Sequence, residues 1–106
     1  MGKKEIEVMN QLKKFKHKIN KQYHIDKMIL FGSLAKGTFH KHSDIDLILV
    51  SKKFRNKRIL KRSPNLYLEW DLDYPVDFLC YTPEEFEKKK NEISIVREAL
   101  KNGVEV

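Results

Sequence analysis

Cysteine is nearly missing from this chain. Cys80 is the only one in 106 residues, so no internal disulfide can form, and a reduced, cytoplasmic setting is the simplest expectation. Its place in the apolar run Val76 to Tyr81 reads as a small core residue rather than a nucleophile. Long apolar runs are missing too. None approaches the roughly 20 residues that cross a bilayer, and Met1-Gly2-Lys3-Lys4-Glu5 has no apolar stretch of the kind a signal peptide needs. No repeat and no dividing linker interrupts the sequence, and 12.7 kDa reads as one domain over residues 1–106. That length can bury a core around one small sheet but leaves no room for a separate substrate domain, so substrate selection would fall to a partner. With 41% hydrophobic and 35% charged residues, the composition is that of a soluble globular domain.

Acid is missing from one place in particular. Lys52, Lys53, Arg55, Lys57, Arg58, Lys61 and Arg62 are seven basic residues in an eleven-residue segment with no acidic one. Elsewhere 15 basic residues face 15 acidic ones, so the whole net charge of +7 can be assigned to this segment. Such a block attracts polyanions: nucleic acid, a nucleoside triphosphate or an acidic protein face. The same composition also suits a lysine-rich surface with no dedicated ligand.

What is present is a succession of helix and strand signals. Ile6, Met9, Leu12, Phe15, Lys16 and Ile19 follow a helical period from Lys3 to Tyr23 and predict an amphipathic first helix. Lys27 to Phe31 reads as a buried strand that stops at Gly32-Ser33, where Ser33 could cap a helical turn. Thr38 to Ser43 reads as loop, and Ile45 to Val50 as a second strand. Pro64 predicts a short helix with Leu66, Tyr67 and Trp70 turned inward, and Val76 to Tyr81 a third strand. Thr82-Pro83-Glu84-Glu85 is a capping-box sequence opening a helix that runs through Lys90. Ile93, Val96, Ala99 and Leu100 give a last apolar stripe, closed at Asn102-Gly103 by a predicted left-handed cap before an edge strand at Val104 to Val106. The expected architecture is α/β, helices packed on a small mixed sheet.

The chemistry-bearing residues lie at the strand ends. A backbone turn at Gly32-Ser33 offers free N–H donors and, at glycine, room for a phosphate. Asp44 and Asp46, two apart at the head of a strand, would point to one face and could share a cation. Their mutual repulsion is relieved by a bound ion or by solvent, and magnesium suits hard carboxylate oxygens. Asp77, between Val76 and Phe78, is the candidate third carboxylate, because an unpaired charge inside an apolar run would be costly. Three carboxylates can hold two metals, one on a triphosphate and one lowering the pKa of an attacking hydroxyl. Taken singly, each element also has an ordinary reading as turn or strand-end chemistry. Asp71-Leu72-Asp73 competes but falls in a predicted loop. A P-loop is rejected because Thr38 stands where lysine is required, zinc because His40 and His42 lack a Cys/His partner set, and a serine hydrolase because Ser33 lacks the Gly-x-Ser-x-Gly elbow.

Phe31-Gly32-Ser33-Leu34-Ala35-Lys36-Gly37, Ser43-Asp44-Ile45-Asp46-Leu47 and Val76-Asp77-Phe78 together resemble the minimal nucleotidyltransferases of the polymerase β superfamily, over nearly the full chain. The resemblance implies a palm-like nucleotidyltransferase fold, with Gly32, Ser33 and Lys36 at the triphosphate of ATP. It makes Asp44 and Asp46 magnesium ligands and Asp77 the carboxylate that helps activate the acceptor hydroxyl. The family commonly has arginine where this chain has Lys36, and lysine cannot make the same two-pronged phosphate contact. Relatives of this size are often antitoxins paired with an all-helical ribonuclease toxin of the HEPN class (higher eukaryotes and prokaryotes nucleotide-binding). The resemblance implies AMP transfer from ATP to a tyrosine of that partner. The alternatives are a binding module that neutralises a partner without catalysis and nucleic-acid binding through Lys52 to Arg62.

Overall fold

Val8, Leu12, Phe15, Ile19 and Tyr23 recur every three or four residues and form the buried face of α1 (Lys3–Tyr23) in the computed structural model, which describes residues 2–32, 35 and 44–106. Ile6, expected on this face, is half exposed. The buried seam starts at Val8, and at about 100° per residue position 6 lies roughly 200° round the helix from it. Lys16 sits at the margin of the seam, its Nζ donating to the Val106 carbonyl. The helix stops at His24 in a left-handed conformation, and the Asn20 side chain accepts from the Ile25 N–H, which turns the chain into the sheet.

Strands β1 (Lys27–Phe31), β2 (Ile45–Val50) and β3 (Val76–Tyr81) lie where the apolar runs placed them. With β4 (Val104–Glu105) they form a four-stranded sheet in the order β3-β2-β1-β4. β1 is antiparallel to β2 and β4, whereas β2 and β3 run parallel, so the sheet is mixed. Alternation along each strand splits the core into two layers. Met28, Leu30, Ile45, Leu47, Leu49, Phe78 and Cys80 pack with the inner face of α1 and with Leu66. Ile29, Ile48, Val50 and Tyr81 pack on the other side with Phe86, Val96 and Ala99. These last three belong to α4 (Pro83–Lys90) and α5 (Ile95–Asn102).

Between β2 and β3 the chain makes a short turn at Lys52–Phe54, then α2 (Ile59–Arg62) and α3 (Pro64–Glu69). This segment runs along the outer edge of β3. The Phe78 N–H donates to the Tyr67 hydroxyl, and Arg62 donates to the Cys80 carbonyl at 3.1 Å. Arg62 also donates to the Lys57 carbonyl and forks onto Glu85 at 2.5 and 3.1 Å, which leaves the guanidinium almost wholly buried. Glu85 in turn accepts from the Thr82 N–H while Thr82 accepts from the Glu85 N–H, the capping box its sequence predicts.

Three expectations are corrected here. Gly103 is extended, not left-handed, at φ −77°. A Cβ there would lie 2.4 Å from the Ala99 carbonyl and 2.9 Å from Ile29 Cγ2, so close packing of α5 on β1 calls for glycine. Ile93 is almost fully exposed and Leu100 more than a third exposed, because α5 turns Val96 and Ala99 inward instead. Of the residues expected inward after Pro64, Leu66 is buried and Trp70 half-buried, whereas Tyr67 is exposed with its hydroxyl on the sheet edge.

Candidate functional site

The antiparallel β1–β2 pairing brings the carboxyl end of β1 beside the start of β2, and the parallel β2–β3 pairing brings the start of β3 to the other side of the start of β2. Phe31 pairs with Asp46, and Asp46 pairs with Asp77. One row therefore crosses three strands and ends on two carboxylates from neighbouring strands, on the sheet face that carries Ile48 and Leu79 further along. Asp44, exposed, immediately precedes β2, and the Ile45 N–H donates to the Pro75 carbonyl, tying the start of β2 to the chain entering β3.

Partial burial raises the Asp46 pKa, and the negative charges of Asp77 and then Asp44 push it further in the same direction. The three sequence-predicted carboxylates thus act on one another electrostatically. Among the described residues no group of three or more His, Cys, Asp or Glu side chains is already arranged to hold a metal ion. Magnesium, however, is commonly held by only one or two carboxylates together with substrate phosphates. The donor set fits it: hard oxygens, crowded like charges, and a partly desolvated member that a cation would relieve.

Gly32 sits at φ +81°, a backbone conformation L side chains rarely adopt. A Cβ at this position would lie 2.4 Å from Asp46 Oδ2. Glycine is thus required by the left-handed turn and by the close approach of the Asp46 carboxylate, a constraint that spacing alone did not reveal. Ser33, Lys36, Leu34 and the loop carrying His40, Lys41 and His42 lie outside the described residues.

Asp77 is exposed, which corrects the argument used to select it. No charge is buried within β3. The side chain stands at the uncovered start of the strand, on the opposite face from its buried neighbour Phe78. The competing pair Asp71 and Asp73 goes elsewhere, lining a cavity of about 430 Å3 against Val8, Phe15 and Lys18 of α1. Sequence reading gave α5 only a packing role, yet Ile95, Glu98 and Asn102 border a cavity of about 120 Å3 beside Phe31 and Gly32. Nothing in the spacing of α5 signals this, since its placement depends on the close contact at Gly103.

The basic segment is partly neutralised. Arg55 pairs with Glu84 and Arg62 with Glu85, and Lys57 lies over the Tyr23 ring at 5.9 Å. Arg62 belongs to the core rather than to a polyanion surface. Among the described residues no helix is long and apolar enough to cross a membrane.

Comparison with known proteins gives this chain its family. The nucleotidyltransferase domain profile matches residues 9–102. A protein of Methanocaldococcus jannaschii described as a "putative protein adenylyltransferase" is 29% identical over 95% of this chain and all of its own length. The crystal structure of a "putative nucleotidyltransferase" from Sulfolobus solfataricus superposes with a TM-score of 0.66 at 20% identity, covering 99% of this chain and 87% of that one, and so shares the fold. The chain belongs to the nucleotidyltransferase domain family and is a nucleotidyltransferase enzyme of the minimal type.

Proposed function

We propose that this nucleotidyltransferase transfers AMP from ATP to a hydroxyl of a partner protein, with Asp44, Asp46 and Asp77 as its catalytic carboxylates. The observation that carries the reading is the row that sets Asp77 beside Asp46, with Asp46 packed against Gly32. Asp44 and Asp46 would hold magnesium, which when bound neutralises triphosphate charge and polarises the α-phosphorus. Gly32, Ser33 and Lys36 would meet the triphosphate. Asp77 would accept the proton of the acceptor hydroxyl as its oxygen bonds to the α-phosphorus and the bond to pyrophosphate breaks, giving an AMP phosphodiester, pyrophosphate and a protonated Asp77 that then returns its proton to solvent. The protein-modifying branch draws on the Methanocaldococcus relative, whose name is that of a protein adenylyltransferase. A HEPN-class helical toxin with an acceptor tyrosine is the partner the family resemblance suggests, which would make this chain an antitoxin.

The test is incubation with α-labelled ATP, magnesium and the protein encoded next to it. Label should move to the partner, stay attached under denaturing conditions as a phosphodiester does, and fall by at least about 100-fold in Asp44→Asn, Asp46→Asn and Asp77→Asn. No transfer from wild type, or full transfer by all three variants, rules the reading out. Neutralisation of the partner that persists in Asp77→Asn would favour non-catalytic binding instead.

A further inference from the structure

Asp77 has a continuation along its own strand. Asp77 and Leu79 share one face of β3, opposite Asp46 and Ile48 respectively. The four residues that follow Asp77, Phe78 to Tyr81, form one wall of a groove of about 230 Å3 along the outer edge of β3, whose other wall is Ile59 and Leu60 of α2 with Ser63 just after it. Leu60 is 86% exposed and Ile59 55% exposed, on a four-residue helix whose inward anchor is Arg62. Arg58 and Lys61 flank this apolar pair and are both exposed. Arg55 and Arg62 are matched to Glu84 and Glu85, so Arg58 and Lys61, next in the chain to Ile59 and Leu60, add uncancelled positive charge to this segment.

We infer that this groove is the acceptor-docking site, and that its occupant is a protein segment with an apolar anchor and acidic flanks, which places a neighbouring hydroxyl at Asp77. The inference rests on the reading of Asp77 as the carboxylate facing the acceptor. Complementarity selects the occupant. The apolar walls take an aliphatic or aromatic side chain, and Arg58 and Lys61 take carboxylates around it. A second copy of this chain is a poor match, since it would bring the same basic segment and a net charge of +7 against its twin. Nucleic acid is also a poor match, since the groove offers phosphates leucine and isoleucine where donors are needed.

The test uses the full chain without nucleotide, so binding is read independently of transfer. Short synthetic peptides with a fixed central tyrosine carry Glu/Leu, Lys/Leu or Glu/Ser flanks, and affinity is followed by fluorescence anisotropy. The Glu/Leu set should bind about tenfold or more tighter than the others. Leu60→Asp should erase the leucine preference, and Arg58→Glu with Lys61→Glu should reverse the acid preference. Leu68→Asp, at an 83% exposed position on α3 outside the groove, should change neither. Because these side chains are exposed, circular dichroism should show all variants folded. The inference is overturned by equal affinity across the library, or by preferences that survive Leu60→Asp and the charge reversal. It is equally overturned if an oligouridylate binds more tightly than any peptide, or if sedimentation shows a dimer that Leu60→Asp dissolves. Failure of AMP transfer with the peptide preferences intact would count against the proposed reaction and leave the groove assignment standing.

Discussion

At Gly32 two constraints fall on one residue: a positive φ and a carboxylate in the space of the missing Cβ. Gly32→Ala should cost about 1–2 kcal/mol of stability from backbone strain, measured by urea titration. Displacement of Asp46 by about 1 Å should cost activity about 100-fold. A drop in activity no larger than the stability loss explains would show that the carboxylate had not moved. Asp46 is held where burial and two like charges disfavour its ionised form. Its pKa is raised on folding, so the ionised side chain opposes the native state at neutral pH. Asp46→Asn should therefore lose transfer while melting no lower than wild type. A lower melting temperature would show that the carboxylate supports the fold. Cys80, buried with its thiol pushed up to about 12, stays protonated and takes no part in this chemistry.

Among the elements, the cover over β3 depends most on a single contact, the fork from Arg62 to Glu85. Hydrogen bonds from Arg62, and from the Thr82 backbone, hold the Glu85 pKa below the ordinary carboxylate range. A depressed carboxylate pKa contributes stability that is complete above the ordinary range and is lost as pH falls through the folded-state value. Glu85→Gln should cost about 2 kcal/mol at neutral pH, because it leaves a buried guanidinium without its counter-charge. The gap between wild type and variant should then shrink on titration from about pH 6 to about pH 3. A gap independent of pH would mean that the fork contributes through packing alone. The α4 capping box was legible because proline and two glutamates follow a threonine. Arg62 was not, since one arginine in a basic run looks like surface until the chain folds it against Cys80.

For the whole molecule, the strands and α1 were readable because apolar runs bounded by turn residues have few other ways to fold. The α/β architecture followed from helix and strand signals taking turns along the chain. Asp44, Asp46 and Asp77 were readable as residue types at strand starts, but the register that sets Asp77 beside Asp46 is long-range information. Spacing 31 residues apart in sequence cannot encode it. The Asn102-Gly103 signal misled for a related reason: glycine there answers a neighbour, β1, rather than its own backbone. α2 went unseen because four residues carry no period.

The hydroxyl of Tyr67 and the guanidinium of Arg62 occupy backbone groups that an outer strand would otherwise offer to any passing chain. A parallel strand at the rim of so small a sheet is a template for fibre growth. Sealing it with two side chains should disfavour edge-to-edge pairing, and the same polar seal would make the acceptor enter through side-chain contacts rather than as an added strand.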